Sequence, residues 1–414
     1  MIPDRFVPVG DFKLGEEEKS IINDVLEKGR ISEWKKVKEF EKTFAEYIGT
    51  KYCVAVSSGT AALIVGLMAL LYDERFPKAK KGTKIITSPV TYISTVNAIV
   101  LAGFEPVFVD IDKQTFKLNI NQIEDILKKE SPNDYAGILP VHLMGYPNDM
   151  DEINKIAKKY DLFVFEDSAQ AHGTIYKGKK AGSLGLLADF SFYIAHNIQA
   201  GEMGCVTTNN EKIFKLILQL KANGRVCNCP ICTRNKGICP GAKKYGYDED
   251  NDYDYDPRFT HEYISYNFKT TEFSAALGIS QVKKADWIFK ERQKNVKYLC
   301  QGLEKFEDFF YLPIYDENVS YLAYPIIIKE TSNIKRKWLR KRLEEEGIEN
   351  RPLFGCIPTQ QPAYSFLRNK YAGKLPNAEY IGENGFYIGC HQYLEQDDLD
   401  YIVYVFEKVL KKII

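Results

Sequence analysis

The chain has 414 residues, enough for one large domain and a smaller one, and its 45% hydrophobic content supports a full core and excludes global disorder. Lysine plus arginine balances aspartate plus glutamate at 56 each, so no global field draws the chain to nucleic acid or to a membrane surface. Residues 1–13 hold no signal-peptide apolar core, and no apolar run reaches the length that spans a bilayer. The expectation is a soluble cytoplasmic protein.

In chain order, residues 1–48 carry two helical patterns, at 16–28 and 33–47. A large domain is then expected over 49–285. Its strand candidates are 52–56, 84–88, 106–110, 137–142, 162–166, 189–193 and 204–208. Between them, 61–71 is apolar and alanine-rich, and 121–129 and 150–160 place apolar residues at three- and four-residue steps. Strand–helix alternation predicts an α/β fold with a mainly parallel seven-stranded sheet, helices on both faces. Ligands bind such sheets beyond the carboxyl ends of the strands. Residues 227–262 read as an insertion: four cysteines, then a run of tyrosine and aspartate at 247–256 without periodicity. From 286 to 414 the pattern is that of a smaller α+β domain, with a charged helix at 334–346 and a closing helix at 395–411.

The segments after the strands carry the chemistry. Ser57-Ser58-Gly59-Thr60 is a small-residue turn entering a helix, where backbone N–H groups suit a phosphate. It is equally an ordinary helix cap. Tyr92 follows the second strand and could stack on a flat ring or pack in the core. Asp167, at a strand end, could pair with a protonated pyridine nitrogen. Gln170, Ser191 and His196 follow at the same predicted sheet edge. His142 reads as structural, His172 is expected to pack near the ligand, and His391 is a further candidate to line the site from the small domain.

Taken together these segments resemble the DegT-like family of sugar aminotransferases and dehydratases, which have the fold-type-I architecture of pyridoxal phosphate enzymes. The resemblance runs through Val141-His142-Leu143-Met144-Gly145, Glu166-Asp167-Ser168-Ala169-Gln170-Ala171-His172-Gly173, Tyr266-Asn267-Phe268-Lys269 and Ala275-Ala276-Leu277-Gly278, to Leu399-Asp400-Tyr401. It implies that Gly59, Thr60 and Ser191 hold the cofactor phosphate, Tyr92 stacks on the ring, Asp167 meets the ring nitrogen and Gln170 lies near the ring hydroxyl. It also implies that Asn267 reaches the phosphate of a neighbouring subunit's cofactor, hence a homodimer. Family aminotransferases carry a lysine, covalently linked to the cofactor, where this chain has His196. Histidine forms no such link but exchanges protons near neutral pH. That departure resembles the sugar 3-dehydratase branch and implies removal of the hydroxyl at carbon 3 of a nucleotide-linked 4-keto-6-deoxy sugar, with pyridoxamine phosphate as the working form.

Nine cysteines include four close together: Cys227, Cys229, Cys232 and Cys239. Thiolates at this spacing can enclose an iron–sulfur cluster or a zinc ion, and the spacing is unlike common zinc ribbons. Gly224-Arg225-Val226-Cys227-Asn228-Cys229 and Arg351-Pro352-Leu353-Phe354-Gly355 resemble the iron–sulfur members that act on CDP-linked sugars. In those members one ligand comes from the position of Ala169, so Cys232 is the expected replacement. This resemblance implies reduction by a separate flavin/iron–sulfur reductase. The cluster-free members, which act on GDP-linked sugars, imply glutamate as co-substrate instead.

Overall fold

The computed structural model describes residues 5–227, 229 and 259–411. Its strands in chain order begin with β1 (Tyr52–Val56), β2 (Lys84–Thr87), β3 (Glu105–Phe108), β4 (Tyr135–Leu139) and β5 (Phe163–Asp167). A hairpin of β6 (Ile175–Tyr176) and β7 (Lys179–Lys180) leads to β8 (Leu187–Ser191) and β9 (Gly204–Thr208). The central sheet runs β1-β9-β8-β5-β4-β2-β3. All neighbours in it are parallel except β9, which is antiparallel to both β1 and β8. The expected mainly parallel seven-stranded sheet is the one observed.

Helices α1 (Glu16–Glu27) and α2 (Lys35–Ile48) precede the sheet. The α2 stripe of Val37, Phe40, Phe44 and Ile48 packs with Ala188, Phe190 and Phe192 of the sheet region, burying one sheet face. On the other face lies α3 (Gly59–Tyr72), buried at every residue from Ala61 to Leu70. An apolar surface all round is what a helix roofed by other helices requires. Strand β8 ends two residues earlier than the sequence pattern placed it, because Tyr193 and Ile194 leave the sheet half-exposed and start the loop to β9. Two helices that the apolar spacing did not reveal, α4 (Ser94–Leu101) and α5 (Glu211–Leu220), complete the layer between strands.

After the helices Glu272–Lys283 and Ala285–Leu303, a second sheet forms from β10 (Phe310–Tyr311), β11 (Tyr324–Ile328), β12 (Asn350–Pro352) and β13 (Gly385–Ile388). Its order is β10-β11-β13-β12, antiparallel throughout. The helices Arg336–Glu345 and Gln396–Leu410 pack beside it. The insertion is pinned at its base: the Val226 N–H donates to the Thr260 carbonyl at 2.9 Å, and the Glu262 N–H to Gly224 at 2.8 Å. Cys232, Cys239 and the tyrosine–aspartate run lie outside the described residues. No helix among the described residues is long and apolar enough to cross a membrane.

Candidate active site

The carboxyl ends of β1, β2, β5 and β8 open into a cavity of about 440 Å³. Seven of the eight non-cysteine residues singled out from sequence line it: Gly59, Thr60, Tyr92, Asp167, Gln170, Ser191 and His196. The eighth, Asn267, does not. It is exposed, and its side-chain oxygen accepts from Lys269 Nζ at 2.8 Å.

One end of the cavity is the N-terminus of α3. Ser58 caps the helix by accepting from the Ala61 N–H at 3.1 Å, leaving the N–H groups of Gly59 and Thr60 beside the cavity. A side chain at Gly59 would lie 2.6 Å from Ser191 Cβ. Glycine there is what allows the Ser191 hydroxyl to sit against the helix end. Gly204 is needed for the same reason, since a Cβ would collide with the Ser58 backbone. The result is an anion cup with a partial positive charge from the helix.

The opposite end is acidic. Asp167 is buried; its Oδ2 accepts from Thr95 Oγ1 at 2.6 Å and its Oδ1 from the Ala169 N–H at 3.2 Å. Burial raises its pKa, and the two hydrogen bonds oppose the rise. Gln170 Oε1 accepts from the Met144 N–H at 2.8 Å, which turns its amide nitrogen into the donor available to a ligand. Tyr92 is 59% exposed and meets Phe354 edge-on at 5.9 Å, so it presents a free aromatic face at the cavity wall rather than packing in the core.

His196 lies in the loop after β8. Its N–H donates to Tyr193 O at 2.9 Å, and the next residue, Asn197, donates to the carbonyls of Ser320 and Tyr321 at 3.0 and 3.3 Å. The buried Arg292 donates to Tyr321 O and Leu322 O at 3.2 and 2.8 Å. One backbone carbonyl thus ties the histidine loop to a buried cation. Desolvation and, second, the Arg292 charge hold the His196 pKa down to about 4, so its ring is neutral at neutral pH. No lysine lines the cavity among the described residues.

The remaining histidines do not line it. His142 bonds Glu166 at 3.0 Å and accepts from the Asn148 N–H, a structural role. His172 packs among Phe44, Phe190 and Phe192, 6.1 Å from the His196 ring. His391 is buried and does not line the cavity, a correction to its candidacy. The sequence reading passed over Asp189, Tyr193, Glu202 and Arg351 as site residues, yet all four line the cavity. Asp189 was findable: it stands two residues before Ser191 on one strand and therefore shares its face. Arg351 stands in the Arg351–Gly355 motif but on the other sheet, so its place in the chain does not bring it to this cavity.

The donor set fits a flat aromatic ligand with a phosphate at one end and a basic ring nitrogen at the other. The cup, which a side chain at Gly59 would close against Ser191, could take the phosphate, and the buried Asp167 could face the nitrogen. Cys227 and Cys229 are half-buried and outside this cavity, and no three histidine, cysteine, aspartate or glutamate side chains group to hold a metal among the described residues.

The chain is similar to known proteins over nearly its whole length. The sequence pattern of the DegT/DnrJ/EryC1/StrS aminotransferase family matches residues 13–407. GDP-4-keto-6-deoxy-D-mannose 3-dehydratase of Yersinia pseudotuberculosis is 32% identical over 391 residues, covering 93% of this chain and 94% of the relative. The lipopolysaccharide biosynthesis protein RfbH of Salmonella typhimurium is 32% identical over 410 residues, covering 97% and 91%. Among solved structures, GDP-4-keto-6-deoxymannose-3-dehydratase with a trapped PLP-glutamate geminal diamine superposes with a TM-score of 0.82 at 30% identity, covering 96% of this chain and 99% of that one.

Proposed function

We propose a function from one premise: this chain belongs to the DegT/DnrJ/EryC1/StrS aminotransferase family, the pyridoxal-phosphate-dependent aminotransferases and dehydratases of sugar biosynthesis. Within it, the chain is a 3-dehydratase that removes the hydroxyl at carbon 3 of a nucleotide-linked 4-keto-6-deoxy sugar. The observation that carries this reading is His196, a neutral base in the cavity wall at the position where family aminotransferases carry lysine.

Pyridoxamine phosphate, when bound, supplies an amine for the keto carbon and a ring that accepts the electrons needed to expel the hydroxyl. Gly59, Thr60 and Ser191 hold its phosphate. Tyr92 covers one ring face, Asp167 keeps the ring nitrogen protonated, and Gln170 donates to the ring hydroxyl. His196 would take, at its unprotonated ring nitrogen, the proton lost from the cofactor carbon that bears the amine, and return it to the departing hydroxyl. Without a lysine to displace an aminated product, the site ends in dehydration rather than amine transfer. Arg351, at the cavity wall, offers a cation to the diphosphate of the substrate.

The protein acts in the cytoplasm as a homodimer in which Asn267 reaches the partner's cofactor phosphate. The solved relative carrying glutamate on the cofactor supports glutamate as the recharging co-substrate. A second reading has electrons arriving from a flavin/iron–sulfur reductase through a cluster on Cys227, Cys229, Cys232 and Cys239. The spacing of those cysteines supports it, and a zinc ion there would make the site structural.

The test is incubation with pyridoxamine phosphate and a GDP- or CDP-linked 4-keto-6-deoxy hexose, with and without glutamate, followed by mass spectrometry. The expected product lacks the carbon-3 hydroxyl, and the preferred nucleotide identifies the substrate series. An amino sugar as the product overturns the reading.

A further inference from the structure

The mechanism above leaves one buried acid unused. Asp189 lies on β8 directly beside Asp167 on β5, the two being registered partners in a parallel pair. Registered residues of neighbouring strands point to the same face, and both aspartates line the cavity. Asp189 is fully buried, and neither of its oxygens has a hydrogen-bond partner in another residue. Asp167, by contrast, has both oxygens engaged. A buried carboxyl without a partner, on a residue that lines a ligand cavity, is costly to keep unless a ligand uses it.

The geometry points to Asp189 as the proton source of the cofactor pocket: Asp167 and Asp189 form a carboxyl pair that holds one proton when empty and passes it to the nitrogen of an incoming pyridine ring. This rests on the cofactor reading above. The step balances. Before binding, the pair carries one carboxylate and one carboxylic acid, and the ring is neutral. Afterwards the O–H bond of Asp189 is broken, the ring nitrogen has gained the N–H bond, and two carboxylates flank one cation. No proton comes from solvent.

The electrostatics agree. Burial, and then the neighbouring Asp167 charge, push the Asp189 pKa well above the usual carboxylate range. The other ionisable groups acting on the pair are Glu166 and His142, and on β9 the Cys205 thiol, raised first by burial, feels the Asp189 charge in turn. Glu166 is engaged by His142 and by the N–H groups of Gly182, Leu184 and Gly185, so it offers no rival proton. Thr95 Oγ1 and the Ala169 N–H bond Asp167 and not Asp189, which favours Asp167 as the ionised member and Asp189 as the acid.

The full chain, freed of cofactor by dialysis, is titrated calorimetrically with pyridoxal phosphate above the pH at which the free ring nitrogen loses its proton. Buffers of different ionisation enthalpy report the protons taken up. Asp189→Asn should take up about one more proton per site than the unsubstituted chain, with cofactor affinity about tenfold weaker. Equal uptake in the two proteins overturns the proposal. Should Asp189→Asn fail to fold by circular dichroism, Asp189→Thr carries the same comparison. If the unsubstituted chain shows no binding heat, the cofactor reading itself fails, an outcome distinct from equal uptake.

Discussion

His196 does its work through what surrounds it. An ordinary histidine is half protonated near pH 6.5 and would be a poor base in mildly acid medium. Here desolvation and Arg292 disfavour the charged ring and bring the pKa to about 4. The base must be unprotonated to act, so kcat should stay level from neutral pH down to about 5 and fall only below that. Arg292→Gln removes the repelling cation, so the acid limb should move upward toward pH 6.5. A limb that stays in place shows that Arg292 does not act on His196. His196→Asn should retain cofactor affinity while the dehydration rate drops by about 10²–10⁴. Unchanged turnover in that variant removes His196 from the mechanism.

At the scale of elements, the cup at the head of α3 depends on close approach. Gly59→Ala places a methyl 2.6 Å from Ser191 Cβ, and neither the strand nor the helix start can retreat without disturbing the core under α3. Overpacking of this kind costs about 1–3 kcal/mol. We expect a lower Tm and at least a tenfold weaker affinity for pyridoxal phosphate, read by fluorescence quenching; affinity equal to that of the unsubstituted chain would place the phosphate elsewhere. The cysteine-bearing insertion is the second element with a test. If its four thiolates hold a cluster, anaerobically purified protein should be brown, with iron and sulfide in near-equal amounts, and Cys232→Ser should lose most of the iron. Colourless protein with stoichiometric zinc instead favours a structural site and the glutamate route.

At the scale of the whole molecule, the single chain leaves an apolar surface around Asn267. Ile264 is 88% exposed and Tyr266 48%, both on the segment that returns from the insertion. Apolar side chains this exposed mark an interaction surface. We expect a dimer by light scattering, with Ile264→Asp shifting it toward monomer and lowering cofactor affinity along with activity. A fully active monomer refutes the shared site.

The layout of the chain was legible because it depends on local regularities. Alternating strands and amphipathic helices indicate a parallel sheet, and such a sheet puts its chemistry after the strand ends. Gly59, Tyr92, Asp167, Ser191 and His196 could therefore be named from the chain alone. The apolar stripe of α2 and the all-apolar α3 were equally readable. Tertiary structure decided the rest, because the remaining effects act between residues far apart in the chain. Burial and then Arg292, just under a hundred residues away, set the protonation of His196. Arg351 enters the cavity from a different sheet. Asp189 became a partner of Asp167 only when β8 paired with β5, since the sequence shows two separate strand-end acids and not their register.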